Sequence, residues 1–515
     1  MRPPRSEVKA TEGATLAEAM SGLAARGEAV ALRWEGGQVS YAELSRRADR
    51  LASALLGVGL APGDRFAFLL PNGSRITECY LACARTGIVA VPLSDRATLA
   101  ELAHQLTDSG ARTLLYMGAR AEVVAELPGA GVALDRLIAV EPTAGRDDYE
   151  ALLAGADGVV DVPPPAPESL FAVMYTGGTT GVSKAAEQTQ QSWAYSLRSV
   201  AEAWGLGPED RHLAVLPMDH VSWFSTASVL LVGGEVWVEA GWDPDRVLAI
   251  VERHRVTTLN MIPTMFGDFL ETLARAAAPK LDSIRLVTVA GSPMPVEMYQ
   301  RGEALLGSVM GCIYGMTESS GPVTFLLPAD LSVERLRSGG KPGRGVELTI
   351  LDEDGRPTDG AEPGEIGLRG PQMTSGYLNR PEATAEAFRD GWFLSGDIGR
   401  IDGDGFLYIV DRSKDMIKSG GFNVYPKEVE DVLYASGEVL EVAVIGLPDP
   451  RWIEAVNAVV VLRPEAEMGP DELRAYCRER LPGYKVPKVV HLERVLPRTK
   501  VGKFDKRELR RRYSA

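Results

Sequence analysis

Tyr175-Thr176-Gly177-Gly178-Thr179-Thr180-Gly181-Val182-Ser183-Lys184 joins three glycines, three threonines and a lysine in ten residues. Glycines let backbone N–H groups approach an anion closely, hydroxyls donate to its oxygens, and Lys184 adds positive charge. That is the chemistry of a phosphate cradle. It is not a Walker A loop, because Lys184 lies three residues beyond Gly181 and no G-K-[ST] occurs. Tyr314-Gly315-Met316-Thr317-Glu318 offers an aromatic ring, a hydroxyl and a carboxylate after an apolar run. Those parts suit a purine, a phosphate and a hydrated magnesium ion. Gly391-Trp392-Phe393-Leu394-Ser395-Gly396-Asp397 ends on an acid after a tight turn, as an acid bonding a ribose diol would. Asp411-Arg412-Ser413-Lys414-Asp415, with Ser419-Gly420-Gly421 close behind, mixes charge and glycine as an exposed hinge does. Arg498-Thr499-Lys500-Val501-Gly502-Lys503 lies in a basic stretch running to Arg512.

These segments need a scaffold, and the chain supplies one. Ser40-Tyr41-Ala42-Glu43 predicts a capping box ahead of Leu44, Ala48, Leu51 and Leu55 at helical spacing. Arg65 to Leu70 reads as a buried strand, Cys79 to Ala84 as helix and Gly87 to Val91 as strand, which is a βαβ unit with parallel strands. Thr113 to Tyr116 continues the alternation, and Leu170 to Met174 leads into the phosphate loop. Val162 to Pro167 is a stiff proline connector. Beyond Gly339, short alternating runs such as Val346 to Ile350 predict a β-rich region. Past Asp411 the pattern becomes compact α+β: helices at Lys427–Leu433 and Asp471–Leu481, strands at Val442–Ile445 and Ala458–Val461. The first dozen residues carry no period and are expected to fray.

The chain has 515 residues and a net charge of −15. Such an acidic balance gives no electrostatic reason to bind nucleic acid. No apolar stretch reaches the roughly 18 residues of a membrane span. Cys79, Cys83, Cys312 and Cys477 form no C-x-x-C pair, and Cys79 and Cys83 read as core residues one helical turn apart. Free thiols in a large chain suit the cytoplasm.

Together and in this order, the segments resemble the adenylate-forming superfamily of acyl- and aryl-CoA synthetases, luciferases and peptide-synthetase adenylation domains. The resemblance runs from about Ser40 to Leu509, and Gly420-Gly421-Phe422-Asn423-Val424-Tyr425-Pro426 looks most like acyl-CoA synthetases. It implies an α/β fold: a large domain of parallel βα sheets with a β-rich subdomain over residues 1–413, and a small mobile α+β domain over 414–515. It implies ATP-dependent activation of a carboxylic acid to acyl-AMP, then thioester formation with CoA, with Mg2+ as cofactor. The alternative acceptor is a carrier-protein phosphopantetheine thiol or a separate transferase. A homodimer stays open.

By the same resemblance, Thr176, Gly177, Gly178, Thr179, Thr180, Gly181 and Lys184 hold the β- and γ-phosphates. Thr317 bonds the α-phosphate and Glu318 holds magnesium. Tyr314 and Gly315 meet adenine beside Ser292, Pro293 and Met294, and Asp397 and Arg412 take the ribose hydroxyls. Lys503 reaches the α-phosphate and acyl oxygens, as a compact mobile charge with three donors. Lys414 is the hinge about which Lys503 gives way to the face of Gly420 and Gly421. The acid pocket is expected among His220, Ser222, Trp223, Phe224, Ile262, Ala290, Gly291, Ile313 and Met316, with His220 near the carboxylate.

The sequence also departs from the pattern. Gly177, Ser183, Ala185 and Gln190 replace residues usual around the phosphate loop, and none removes a charge that adenylation needs. Ile453 follows Trp452 where CoA ligases usually have glycine, and is expected to narrow the pantetheine path. Val486 stands where a basic residue is common, leaving Lys485 and Lys488 for CoA phosphates.

Overall fold

Ser40 ends a strand and caps the helix Tyr41–Gly57, its hydroxyl accepting from Glu43 N at 3.2 Å. The reciprocal half of the expected box is not made, because the Glu43 carboxylate turns to Arg46. The computed structural model describes residues 13–142, 145–176, 183–220, 222–291, 294–412, 415–419, 422–498 and 504–514, with only the backbone of Arg412, Phe422 and Asn423. The first twelve residues therefore lie outside it.

Behind the cap, Leu44, Ala48, Leu51 and Leu55 are all buried. The βαβ unit forms as Arg65–Leu69, Ser74–Thr86 and Val89–Leu93, with the strands parallel. Gly87 ends the helix in the left-handed region at φ 73°, so the second strand starts two residues later than expected. Cys79 and Cys83 lie in the core, where burial pushes both thiols up.

Four sheets form among the described residues. One carries Val89–Leu93, Arg65–Leu69, Thr113–Tyr116 and Arg136–Ala139 in parallel. On its other flank Leu170–Tyr175 pairs antiparallel with Ala185–Thr189, which in turn takes Gly376–Tyr377. A second sheet carries Arg211–Ala214, Thr258–Met261, Leu286–Val289 and Met310–Met316 in parallel, then turns back antiparallel through Gly321–Leu326. Here the expectation is corrected: Tyr314 and Gly315 are part of the strand, and only Thr317–Ser319 leaves it, as a 3-10 turn.

The β-rich region is an antiparallel sheet of Glu347–Leu351, Gly364–Arg369, Phe388–Arg389, Trp392–Ile401 and Leu407–Arg412. Asp397 is inside the strand Trp392–Ile401 rather than at the end of a turn. The fourth sheet begins at Ile417–Ser419, so the change of sheet falls between Arg412 and Ile417. Lys414 is outside the described residues. The fourth sheet packs its own core of Val429, Leu433, Val444, Val456 and Val460 under the helices Pro426–Tyr434 and Pro470–Arg480. The two apolar runs expected there are the centres of the strands Val439–Asp449 and Ile453–Leu462. Across the change of sheet, Arg337 pairs with Asp431 at 3.1 Å and Lys427 N donates to Asp411 at 2.9 Å. No helix among the described residues is long and apolar enough to cross a membrane.

Ile453 opens its strand at φ 69°, a left-handed conformation for a β-branched residue, and is 67% exposed. Asp449 Oδ1 accepts from the amides of Arg451 and Trp452 and closes the turn that forces it. Left-handed backbone costs an L residue roughly 1–2 kcal/mol, and glycine escapes that at an entropic cost of about 0.5–1 kcal/mol. With little packing to lose, Ile453→Gly is expected to raise the unfolding free energy by about 0.5–1 kcal/mol. A urea midpoint that stays put or falls would contradict this.

Candidate active site

Two strand ends and one strand interior build the site. Thr176 N donates to Lys184 O at 2.8 Å, extending the Leu170–Tyr175/Ala185–Thr189 ladder to the mouth of the phosphate loop. Gly177 to Gly181 lie outside the described residues, as do Ser292, Pro293, Gly420, Gly421 and Lys503. The ladder therefore delivers Thr176 and Lys184 side by side at the two ends of that loop.

The second end is Thr317-Glu318, immediately after Met310–Met316. Gln188 Nε2, from the first sheet, donates to Thr317 O at 2.6 Å, and Thr374 N donates to Glu318 O at 2.6 Å. Ser319 Oγ accepts from Met316 N at 3.1 Å and tightens the turn. A Cβ at Gly315 would meet Gly321 O at 2.3 Å, so a side chain there would prise apart the two strands that set up the turn. Thr317 is buried, and its Oγ1 lies 3.3 Å from His220 Nε2. Next to His220, burial and then the Asp95 carboxylate push Asp219 up to about 7, so this acid is partly neutral near neutral pH.

The third part is Asp397, inside its strand, whose Oδ2 accepts from Tyr314 OH at 2.8 Å. Asp397 and Arg412 stand opposite each other in the strand register. The aromatic and the acid assigned to adenine and ribose are thus already joined.

The expected acid pocket is brought together only in part. Ala290 N donates to Met261 O at 2.9 Å, which sets Gly291 against Ile262. A Cβ on Gly291 would stand 3.3 Å from Ile262 Cγ2. Ser222 donates to Pro217 O and closes the His220 turn. Ile313 and Phe224 are buried, and Met316 half-buried, along the strand and helix that flank this turn. Trp223 is the correction. It has no exposed surface and stacks on Tyr80 at 4.2 Å among Trp193 and Phe171. A ring so enclosed belongs to the core and cannot line a pocket. Met294 is likewise buried, against the neighbouring core.

Lys485 also departs from expectation: its ammonium is paired with Glu428, so it does not await a phosphate. Lys488 Nζ lies 4.5 Å from the Trp452 ring centroid, and Arg451 is 5.0 Å from the same centroid. Burial, Arg451 and Arg474 together lower the Lys488 pKa. Sequence reasoning also missed Gln188 and Thr374, whose bonds to main-chain carbonyls leave no pattern of residue types to read.

Residues 21–378 match the sequence profile of the AMP-binding enzymes, and residues 428–503 match their C-terminal domain. A feruloyl-CoA synthase of Amycolatopsis sp is 41% identical over 94% of this chain and 96% of its own length. The chain belongs to the AMP-binding enzyme family. ATP-bound MatB from Rhodopseudomonas palustris superimposes with a TM-score of 0.89 at 30% identity, covering 98% of this chain and 99% of its own. The o-succinylbenzoate CoA synthetase MenE of Bacillus subtilis, in complex with its acyl-adenylate, gives 0.85 at 31% identity, over 97% of this chain and 98% of that one. This AMP-binding enzyme is an acid–thiol ligase that uses ATP, Mg2+ and CoA, forming an acyl-adenylate and then the thioester. The Glu318 carboxylate fits magnesium, an ion that takes one or two carboxylates from a protein and keeps waters and phosphate oxygens as its other ligands.

Proposed function

We propose that this AMP-binding enzyme makes the CoA thioester of an aromatic carboxylic acid. The observation that carries the reading is the 41% identity to feruloyl-CoA synthase over nearly the full length of both chains. The meeting of Gly291 with Ile262 supports it, because a glycine against an apolar side chain leaves room for a flat ring.

The proposed roles are those that the family resemblance implies. Thr176 and Lys184 close a loop that takes the β- and γ-phosphates. Thr317 bonds the α-phosphate while His220, 3.3 Å away, faces the acid carboxylate. The acid carboxylate then attacks the α-phosphorus in line as its bond to pyrophosphate breaks and pyrophosphate leaves, and charge building on phosphate oxygens meets fixed donors rather than water. Glu318 would hold magnesium, which when bound would neutralise phosphate charge. Tyr314 and Asp397 fix the adenosine, Arg412 joins Asp397 at the ribose, and Lys503 supplies the mobile charge of the first step. Rotation about Lys414 then opens the path past Gly420, Gly421 and Trp452 to the thiol, with Lys488 as the remaining lysine for CoA phosphate. The four free thiols suit a reducing compartment, which we take to be the cytoplasm.

The test is ATP–pyrophosphate exchange across hydroxycinnamic, benzoic and fatty acids, followed by product analysis with and without CoA. Exchange strongest with a fatty acid would overturn the aromatic assignment. Exchange that never consumes CoA would move the acyl group to a carrier protein or a separate transferase. For the CoA path, Ile453→Gly is expected to raise kcat/KM for CoA about tenfold, since an incoming pantetheine arm would have to displace the exposed Ile453 side chain, at a cost of roughly 1–3 kcal/mol. Unchanged CoA kinetics in the folded variant would show that Ile453 does not narrow it.

A further inference from the structure

Tyr377 belongs to none of the motifs above, yet it touches two of them. It is the second residue of the strand Gly376–Tyr377, paired opposite Ala186, so the ladder sets it beside Lys184. A Cβ at Gly376 would meet Thr384 Cγ2 at 2.7 Å, and Tyr377 N donates to Thr384 Oγ1 at 2.9 Å, which fixes the backbone that presents the ring. Tyr377 OH donates to Glu318 Oε1 at 2.8 Å. Lys184 Nζ stands 5.1 Å from the centroid of the same ring. The adjoining Thr374 holds Glu318 by its main chain, with its own hydroxyl on Glu187 O at 2.7 Å. Residues 374–377 therefore grip Glu318 at both backbone and carboxylate.

We infer that Tyr377 is a positioning residue for both charges that meet Mg·ATP: its hydroxyl occupies one oxygen of Glu318, leaving the other for the metal, and its ring face keeps the Lys184 ammonium beside the phosphate loop. This rests on the proposed roles of Glu318 and Lys184. A hydrogen bond to the far oxygen of a ligating carboxylate orients it, and its loss typically weakens metal binding about 10- to 100-fold. A lysine over an aromatic face is held more loosely, and can pass to a triphosphate without a large penalty.

The experiment compares Tyr377→Phe, Tyr377→Leu and Glu318→Gln with the parent enzyme. Mn2+ binding is read by electron paramagnetic resonance in the complex with α,β-methylene-ATP, metal-free analogue binding by calorimetry, and folding by thermal melts. Tyr377→Phe is expected to weaken Mn2+ binding about tenfold, with metal-free nucleotide affinity and melting unchanged. Tyr377→Leu should add a two- to fivefold loss of metal-free nucleotide affinity, roughly what one exposed cation–π contact gives. If Glu318→Gln weakens Mn2+ binding and Tyr377→Phe does not, the positioning role is wrong. If neither variant changes it, Glu318 is not the metal's carboxylate and the reading beneath fails. Equal losses of metal binding, nucleotide binding and melting temperature in Tyr377→Phe would make the residue merely structural and overturn the inference.

Discussion

Lys503→Ala is expected to slow adenylation by about 10²- to 10³-fold and to leave thioester formation from supplied acyl-adenylate close to the parent rate. The proposed charge acts only where negative charge builds on the α-phosphate and acyl oxygens, which is the first transition state. Removing one donor of that kind from a closed site costs about 3–4 kcal/mol of transition-state stabilisation and little ground-state binding. The loss should therefore fall on kcat for pyrophosphate exchange, with KM for ATP moved far less. Single-turnover measurements on the two half-reactions separate the cases. Equal losses in both would mean that Lys503 supports the fold or the nucleotide, and the assignment would be withdrawn.

The use of ATP was legible because it depends on residue types that few other structures need. A run of glycine and threonine closed by Lys184 has little use except around phosphate, and the described ends of that loop, Thr176 and Lys184, lie side by side. The order of strands and helices was legible from periodicity. Their limits were not: Asp397 read as a turn residue because Ser395 and Gly396 precede it, yet all three continue one strand from Trp392 to Ile401. Cross-strand bonding carries that strand through residues whose local preference is to turn.

The acid side was less legible, for a physical reason. Trp223 was expected at the pocket because it follows His220, but every residue from Trp223 to Leu230 is buried. A helix covered all round has no apolar stripe from which to tell its pocket face from its core face. Lys485 misled similarly. A lysine looks available until its partner is known, and Glu428 is 57 residues away in sequence. Tyr377 left no trace, because its meaning comes from Glu318, 59 residues distant, and from the ladder that sets it beside Lys184.

Lys506→Met is expected to destabilise the C-terminal α+β unit by about 3 kcal/mol, and Lys506→Arg by much less. Lys506 Nζ lies 2.8 Å from Glu430 Oε1, and both side chains are largely buried, at 16% and 17% exposed. Burial alone would lower the ammonium pKa, but Glu430, Asp411 and Asp415 outweigh it and raise it. Each acid has another donor: Glu430 takes Val444 N at 2.8 Å, Asp411 takes Lys427 N at 2.9 Å, and Asp415 takes Arg510 at 2.8 Å. Those contacts fix the carboxylates in place, so they cannot simply swing to water when the ammonium goes. Methionine keeps the volume and removes the charge, leaving the largely buried Glu430 without its cation, which is the costly way to break such a pair. Because the folded pKa is raised, the stabilisation is complete below the unfolded value of about 10.4 and disappears only as pH rises through the folded one. The deficit of Lys506→Met should thus be the same at pH 7 and pH 9 and narrow only at strongly alkaline pH. The helix Lys506–Tyr513 begins three residues after Lys503, so its loosening would also free the segment that carries the proposed catalytic charge. Amide exchange in Pro426–Tyr434 and Val439–Asp449 reads the loss locally, apart from the larger domain. Parent-like exchange there would show that backbone amides and Arg510 satisfy the three acids without Lys506.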